Sequence, residues 1–335
     1  MSEPARPGSE SARPTGEQQG VLLTIAYDGG PFHGWAIQRN AVSVGGVLLA
    51  AIHKIRPGVR ELFGASRTDA GVHARCQKVS FDAAPGVNPR GWALGLNSFL
   101  PPTIAVRAAS HVPAGYDTRF HGRGKRYVYT VLADRLRDPL HEGHSWRVPA
   151  RLDPVRMQEA ARHLLGTHDF RAFRAAADMR TDTTRTLRRV ELHIDPLDPR
   201  LMRLIVEGDR FMYNMVRIIA GTLVDVGAGR RSTDATAEAL RTGDRERLGQ
   251  TAPAAGLLLD EVMLDTEGDD LWPPPGTDGF LRHGEAAPTS LRGEPAPTSL
   301  RPGVAPTGLR AGTAPTSLRA ETAAGDTAVT AADDG

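Results

Sequence analysis

The stretch Glu61–Phe81 has the sequence ELFGASRTDAGVHARCQKVSF. Its start, Glu61–Ala65, predicts a short strand, and the alternating residues Cys76–Phe81 predict a second one. Between them lies a polar loop, Ser66–Gly71, whose small residues allow a bulky substrate to approach the backbone. The sequence therefore places a carboxylate, Asp69, at the mouth of a strand.

The elements on either side of this stretch complete one half of the chain. The apolar segment Val21–Tyr27 predicts a buried strand, and Ser43–Ile55 has the spacing of a helix. After the central stretch, Pro89–Leu100 predicts a helix and Thr103–Ala109 a strand. The order of elements in this half is therefore β-α-β-β-α-β.

The second half repeats this order loosely. Four strands and three helices are predicted at Gly122–Leu132, Asp153–Leu165, Thr184–Ile194, Leu201–Gly208, Phe211–Val226, Ser232–Arg241 and Gly256–Leu264. Asp153 and Ser232 are the expected helix caps, with Pro154 at a first helical position. Two such halves, residues 21–112 with Asp69 and residues 113–266, predict an α+β protein. We expect two ferredoxin-like units that form one large, mainly antiparallel sheet with helices on one face.

Both ends of the chain have the composition of disordered segments. Residues 1–20 are polar, contain Pro and Gly, and show no periodicity. From residue 267 onward the chain is dominated by a nine-residue repeat, in which APTSLR begins at Ala287, Ala296 and Ala314 and APTGLR at Ala305. One Leu in nine residues makes no continuous apolar face, so we predict a disordered tail over residues 267–335. A multivalent peptide ligand is the alternative.

Composition and charge favour a cytoplasmic protein but do not identify its substrate. The 335 residues carry a net charge of +2, which permits nucleic-acid binding without indicating it. The single cysteine, Cys76, excludes a disulfide scaffold and a cysteine-based zinc site. No apolar run is long enough for a membrane span, and the first residues lack the apolar segment of a secretory signal.

Several motifs of known chemistry are missing. The sequence has no phosphate-binding GxxxxGK[ST], no GxGxxG and no GxSxG, which disfavours nucleotide hydrolysis, dinucleotide cofactors and serine hydrolase chemistry. His141 and His144 are the only close histidine pair, and they lack the HExxH order of a zinc site. We expect them in a solvated loop and expect Cys76 to be a packing residue.

Three other segments bear on the role of Asp69, which by itself could be a turn residue. Phe120–Tyr129 interleaves basic and aromatic residues, as RNA-binding strands do, although an exposed edge strand has the same pattern. Phe211–Arg217 opens an apolar helix with one arginine, which either pairs with a carboxylate or reaches the surface. Tyr27–Trp35 is a glycine-rich turn that could also be an ordinary hairpin.

Together these segments resemble the tRNA pseudouridine synthase A family. Its most specific motif is matched by RTDAGVHA at Arg67–Ala74. The other matching segments, in order, are YDG at Tyr27–Gly29 with GW at Gly34–Trp35, KRYVY at Lys125–Tyr129, LLGTHDF at Leu164–Phe170, FMYNMVR at Phe211–Arg217 with IIAGTLVDVG after it, and TAPAAGLLL at Thr251–Leu259. The resemblance covers residues 21–264, which is the whole of the predicted folded part.

The resemblance implies that Asp69 is the catalytic aspartate. In this reaction uracil leaves C1′ of its ribose, turns, and is rejoined through C5. The carboxylate acts as nucleophile or as base at C2′, and the sequence does not choose between them. No electrons or groups are exchanged with the medium, so no cofactor and no metal are expected. Arg217 matches the arginine that pairs with this aspartate, and we expect it to lower the pKa of Asp69.

The same resemblance assigns the remaining site residues. Tyr127 matches the tyrosine that stacks on the uracil, and Arg67 the arginine that holds the extruded nucleotide. Four residues are expected in supporting roles, namely Lys125, Arg126, Leu257 and Leu259. The two leucines line the uracil pocket or, alternatively, belong to a core strand. His168 and Asp169 also match a family motif, and we expect them to be structural.

The sequence departs from the family pattern at three places. Ser66 stands where the family usually has glycine before RTD, and Ala36 follows Trp35 where it usually has glutamine. Gly45 and Gly46 lie in a helix where the family usually has polar residues. These departures concern substrate range and rate and are those of a diverged paralogue. The leading hypothesis is a homodimeric enzyme that isomerises uridines 38–40 in the tRNA anticodon stem-loop. The alternatives are a non-catalytic tRNA-binding or folding protein and a synthase that acts on another RNA.

Overall fold

The computed structural model describes residues 18–274, whose strands form one ten-stranded sheet. In chain order the elements are β1 (Gln19–Tyr27), α1 (Val44–Ile55), β2 (Phe63–Gly64), β3 (His73–Ala83), α2 (Pro89–Phe99), β4 (Ile104–Val112), β5 (Gly122–Leu132), β6 (Trp146–Arg147), α3 (Pro154–Arg162), β7 (Gly166–Asp169), β8 (Thr184–Ile194), β9 (Leu201–Gly208), α4 (Met215–Gly227), α5 (Ala235–Thr242) and β10 (Leu257–Leu264). The predicted tails over residues 1–17 and 275–335, including the repeats, lie outside the described residues.

The sheet runs without interruption through both halves of the chain, in the order β4-β1-β3-β10-β5-β9-β8-β7. Most neighbours are antiparallel, including β1 with β3 and β4, and β5 with β9 and β10. The halves meet where β3 pairs in parallel with β10, with His73 opposite Leu258 and Ala74 opposite Leu259. The short β2 pairs with β3, and β6 pairs in parallel with β5. The prediction of an α+β fold with one large, mainly antiparallel sheet is confirmed.

The helices cover one face of this sheet. Alternation along β1 separates the two faces, because Leu23 and Ile25 belong to the main core while Leu22 packs in a small cluster with Val112 and Tyr116. Helix side chains that are buried in the main core include Leu48, Ile52, Trp92, Leu96, Met157 and Leu223. A single core therefore extends under both halves, and within residues 18–274 the opposite face carries the small cluster around Leu22.

Side-chain caps fix where three of the helices begin. Ser43 accepts a hydrogen bond from the backbone N–H of Gly46 at the start of α1. Asn88 accepts a hydrogen bond from the backbone N–H of Gly91 at the start of α2. Asp153 caps α3, whose first residue is Pro154, as the sequence predicts. Each cap satisfies a backbone donor that has no partner within its helix.

Two predicted helix starts are wrong. The apolar pattern from Phe211 onward predicts one helix, but α4 begins at Met215, because Asn214 has a left-handed backbone with φ of 62° and ends the preceding loop. Similarly, Ser232 does not cap α5, which begins at Ala235. Periodicity alone does not detect a change of backbone conformation within an apolar run. The sequence analysis also missed the short strands β6 and β7.

Residues 267–274 belong to the fold and not to the predicted tail. Glu267 lies 2.8 Å from the ammonium of Lys78 on β3. The backbone N–H of Trp272 donates to the carbonyl of Ala109 at 2.8 Å, and that of Ala109 donates in return. The tail boundary predicted at residue 267 is therefore too early. None of the described helices is long and apolar enough to cross a membrane.

Candidate active site

A cavity of about 370 Å³ lies where the two halves meet. The first half contributes residues 66–72, which we call the Asp69 loop, between β2 and β3. The second half contributes β5, the segment 177–180, the segment 211–217 and the first residue of β10. The β3–β10 pair holds these elements together at the centre of the sheet. A volume of this order is typical of small-molecule sites and can admit one nucleotide.

The glycine-rich turn after β1 supports the Asp69 loop. The hydroxyl groups of Tyr27 and Thr68 are hydrogen-bonded at 2.7 Å, and the backbone N–H of Trp35 donates to the carbonyl of Thr68 at 3.1 Å. Gly34 has a φ of 85°, and a Cβ there would lie 2.7 Å from the same carbonyl, so the close approach requires glycine. The predicted Tyr27–Trp35 turn thus fixes the backbone that carries Asp69.

Asp69 meets Arg217 across the junction. The guanidinium of Arg217 lies 3.5 Å from the carboxylate and also donates to Asn214 Oδ1 at 2.8 Å and to the carbonyl of Ala252 at 2.7 Å. The left-handed backbone of Asn214 turns its amide towards this arginine at the start of α4. Arg217 is therefore held in place by two neutral acceptors, and its positive charge lies beside the carboxylate of Asp69.

Burial, rather than Arg217, determines the direction of the pKa shift of Asp69. Only 26% of its side chain is exposed, and loss of solvent raises its pKa above 3.8, although the charge and hydrogen bond of Arg217 act in the opposite direction. This corrects the expectation that the ion pair would lower the pKa. The 3.5 Å contact is too long to compensate for the desolvation of the carboxylate.

Tyr127 forms a wall of the cavity. Its ring is buried and contacts the ring of Phe211 edge-on, with centroids 5.0 Å apart. Its hydroxyl is hydrogen-bonded to Ser66 Oγ at 2.9 Å. Burial raises the pKa of Tyr127 to about 12, so the phenol keeps its proton at neutral pH. The side chain thus offers an uncharged aromatic surface.

The structure brings together most of the predicted site residues. Arg67, Asp69, Lys125, Tyr127, Arg217 and Leu257 all line the cavity. Leu259 is fully buried in the core and does not line it, in agreement with the core-strand alternative. Arg126 lies on the opposite face of β5, where it pairs with Asp260 and Glu261 of β10. Its predicted place at the site is wrong, because neighbouring residues of a strand point to opposite faces.

Sequence analysis missed three residues that organise this cavity. The sequence marks Ser66 only as a departure from the family pattern and does not predict its contact with Tyr127. Asp178 is buried and accepts hydrogen bonds from the backbone N–H groups of Tyr213 and Arg180, which joins two walls of the cavity. The third is His73. No local pattern identifies Asp178, because its burial depends on contacts with Tyr213, 35 residues further along the chain.

His73 belongs to a group of side chains with metal-ligand chemistry. Ligand atoms of Asp28, His73 and His144 lie within 4.8 Å of one another. However, His73 Nε2 lies 2.9 Å from the carbonyl of Gly143 and 3.2 Å from that of Ala255, and the N–H of Gly29 donates to its Nδ1. Both ring nitrogens therefore already bind backbone, and His73 links the turn after β1 to two loops of the second half.

The other histidine motifs have structural surroundings. His141 pairs with Asp138 at 3.1 Å and is absent from the group around His73. His168 Nε2 is hydrogen-bonded to the carbonyl of Leu165, and Asp169 accepts from Thr183. These contacts lie within the loop or between neighbouring strands, as the sequence analysis predicts for His168 and Asp169.

Comparison with known proteins gives consistent matches. A family model described as tRNA pseudouridine synthase matches residues 160–264. A protein named tRNA pseudouridine synthase A from Myxococcus xanthus is 41% identical over 257 residues, which are 77% of this chain and 96% of that protein. A protein of the same name from Thermoanaerobacter pseudethanolicus is 38% identical over 243 residues, which are 72% of this chain and 98% of that protein. Another from Geobacter sp. (strain M21) is 40% identical over 243 residues, which are 72% of this chain and 97% of that protein.

Proposed function

The chain belongs to the tRNA pseudouridine synthase A family, and we propose that it isomerises uridine to pseudouridine in the anticodon stem-loop of tRNA, at positions 38–40. The observation that carries this proposal is the convergence of Asp69, Arg217 and Tyr127 on one cavity from both halves of the chain. The positions 38–40 come from the family resemblance.

The reaction requires a carboxylate close to the ribose of the target nucleotide. Asp69 can supply it as the nucleophile that attacks the sugar or as the base that removes the proton at C2′. In both cases the carboxylate must be ionised when uracil leaves, and Arg217 stabilises this form inside a partly desolvated cavity. Arg217 therefore has an electrostatic role and is not assigned as a proton donor or acceptor.

Tyr127 is assigned to stacking on the detached uracil. A phenol with a pKa of about 12 is a poor proton acceptor near neutral pH, so removal of the C5 proton is not assigned to it. A buried ring at the cavity wall can instead hold the pyrimidine while it turns. Arg67 is exposed at the mouth of the same cavity, where it can contact the extruded nucleotide.

The two alternatives make different demands on these residues. A non-catalytic tRNA-binding protein has no use for a desolvated acid, whose ionisation costs free energy in the folded state. A synthase acting on another RNA would retain the same cavity, and only a comparison of substrates separates it from the leading proposal. We further propose that the protein is a homodimer and that it acts in the cytoplasm, where tRNA is found. Light scattering of the purified protein measures its oligomeric state.

Replacement of Asp69 tests the proposed function. We expect the wild-type protein to form pseudouridine in an unmodified tRNA transcript with uridines at 38–40, and Asp69→Ala to form none while it still binds the tRNA. Asp269→Ala, which removes an exposed carboxylate far along the chain, is the matched control and should keep full activity. Equal product from wild type and Asp69→Ala would refute an enzymatic role of this carboxylate.

The positions are tested with the same assay. Transcripts in which cytidine replaces uridine at 38, 39 and 40 should yield no product, and pseudouridine formed elsewhere in them would contradict the assignment. A wild-type protein that modifies another cellular RNA, and no tRNA, would favour the second alternative.

A further inference from the structure

Lys125 lines the cavity, and no side chain among the described residues pairs with it. It precedes Tyr127 by two residues on β5, so both side chains point to the same face of the sheet. Within residues 18–274 its ammonium forms no ion pair and no hydrogen bond. Burial, and to a smaller extent the charge of Arg180, together lower the pKa of Lys125 to about 8. A half-buried cation beside another cation is unfavourable unless an anion joins them.

Arg180 is held at the edge of the same cavity. Its Nη1 donates to the carbonyl of Phe211 at 3.1 Å and lies 3.4 Å from Asp178. Arg174 in turn donates to the carbonyl of Arg180 at 2.6 Å. About half of the Arg180 side chain, 55%, remains exposed, and its Nε and Nη2 have no partner among the described residues. The guanidinium is therefore positioned and still has donors available.

The charges around the cavity do not balance. Its lining has four cations and two carboxylates, namely Arg67, Lys125, Arg180, Arg217, Asp69 and Asp178. Asp69 pairs with Arg217, and Asp178 pairs with Arg180 through Nη1 alone, so the lining keeps two more cations than carboxylates. Among residues 18–274 Lys125 has no carboxylate partner, and the donors of Arg180 Nε and Nη2 are still available beside it. In an RNA strand the anionic group is the phosphodiester, and an arginine beside a lysine is a common way of binding it.

We propose that Lys125 and Arg180 together bind one backbone phosphate of the RNA, next to the nucleotide whose base lies against Tyr127. Residues two apart on a strand are about 7 Å apart, which is on the order of the span between a base and a neighbouring phosphate. The contact anchors the strand while the nucleotide is extruded. This inference rests on the proposed function and adds a binding residue, Lys125, and its partner.

Salt dependence of binding tests the proposal. In an Asp69→Ala background, which prevents turnover, adding Lys125→Met should weaken tRNA binding about tenfold or more, as expected for a lost hydrogen bond between charged groups. The slope of log K against log salt should fall by roughly 0.7 to 0.9, the value for one phosphate contact. Lys125→Arg should restore the slope. Lys54→Met, which removes an exposed lysine of α1, is the matched control and should change neither quantity.

A double replacement and a pH series separate a phosphate contact from a structural role. If both cations bind one phosphate, Lys125→Met/Arg180→Met loses less affinity than the sum of the two single losses. The difference in RNA affinity between the protein with Lys125 and the Lys125→Met variant should be largest below pH 8. It should shrink above pH 8, because the ammonium of the RNA-free protein loses its proton there. A side chain that only supports the fold gives no such pH dependence.

The outcomes distinguish this inference from the proposed function. Unchanged affinity and slope on adding Lys125→Met would overturn it. A Lys125→Met single variant, with Asp69 intact, that loses turnover while the slope is unchanged would also overturn it, because this would indicate a contact with the uracil. If the wild-type protein forms no pseudouridine and binds no tRNA, the proposed function itself fails. If the wild type is active and only the slope prediction is wrong, this inference alone fails.

Discussion

Ser66 makes a contact that distinguishes this chain from the pattern it otherwise follows. Its hydroxyl binds that of Tyr127, and its backbone is fixed on both sides by the buried amide of Gln77. Glycine, which the family usually has at this position, could not provide the hydroxyl. The serine therefore fixes the position of the phenol oxygen and, with it, the place of the ring at the cavity wall.

We expect Ser66→Ala to lower kcat several-fold with little change in KM, because the phenol oxygen of Tyr127 is no longer held in place, while the residues proposed to contact the RNA are unchanged. The free energy of unfolding should fall by about 1 to 3 kcal/mol, since the buried phenol loses its hydrogen-bond partner. Steady-state kinetics and urea denaturation measure these effects. Ser98→Ala, on the exposed side of α2, is the control; wild-type kinetics in Ser66→Ala would contradict the positioning role.

The raised pKa of Asp69 predicts a conflict between stability and activity. Because burial raises this pKa in the folded state, folding disfavours the ionised form, and the cost is present above the folded pKa and disappears at lower pH. Asp69→Asn should therefore be more stable than wild type at pH 7, and this advantage should shrink as the pH falls towards 4. Denaturation at several pH values checks this, and a less stable Asn variant at pH 7 would contradict it.

Sequence reasoning was most successful for single residues within motifs. The neighbourhood of Asp69, Tyr127 and Arg217 followed from the resemblance, whereas the direction of the pKa shift did not, since desolvation depends on how the two halves close around the carboxylate. Arg126 was misplaced for a related reason. Its acidic partners come from β10, more than 130 residues further along the chain, and no local pattern reveals them.

At the scale of elements, long periodic segments were predictable and their ends were not. Strands β5, β8 and β9 have the predicted bounds. Helix α4 begins four residues later than its apolar pattern suggests, and this difference matters, because the loop before it brings Phe211 and Asn214 to the cavity. Strands of two residues, such as β6, are too short to show any alternation.

Gly221 in α4 provides a prediction at this scale. A Cβ at this position would lie 1.8 Å from the carbonyl of Gln250, so the helix and the segment that carries Ala252 must separate. Helix propensity alone would favour alanine by about 1 kcal/mol. The clash should outweigh it, and we expect Gly221→Ala to lower the free energy of unfolding by about 1 to 3 kcal/mol and to reduce activity, because Ala252 also binds Arg217.

The control for this change is Gly58→Ala. A Cβ at Gly58 meets nothing within 4 Å, so this variant should be neutral or slightly more stable than wild type. Chemical denaturation of both variants compares them directly. Equal midpoints for Gly221→Ala and Gly58→Ala would mean that α4 moves away from Gln250 at little cost.

On the scale of the whole described molecule, the two halves share one sheet and one core. That they join was predicted from the repeated order of elements. The sequence does not predict that the halves join through the parallel pair β3–β10. The pattern of a strand shows which of its faces is buried, but not which strand lies beside it. The place of residues 267–274 against β4 escaped prediction for the same reason, since the segment has no periodic pattern.

A shared core predicts cooperative unfolding. We expect far-ultraviolet circular dichroism and tryptophan fluorescence to give one transition with the same midpoint, because Trp92 in the first half and Trp146 in the second both pack on the common core. A replacement at the join, Leu258→Pro, removes a backbone donor between two neighbouring strands and should lower the stability of both halves together. Two separate transitions in the wild type would show that the halves fold independently.

The division of the cavity between the halves also affects protein synthesis. A ribosome completes residues 21–112 before it has added the strand with Tyr127 or the helix with Arg217, so the emerging polypeptide holds its acid with neither of them. The cavity is consequently complete only after β10, the last described strand, has been synthesised and has paired with β3.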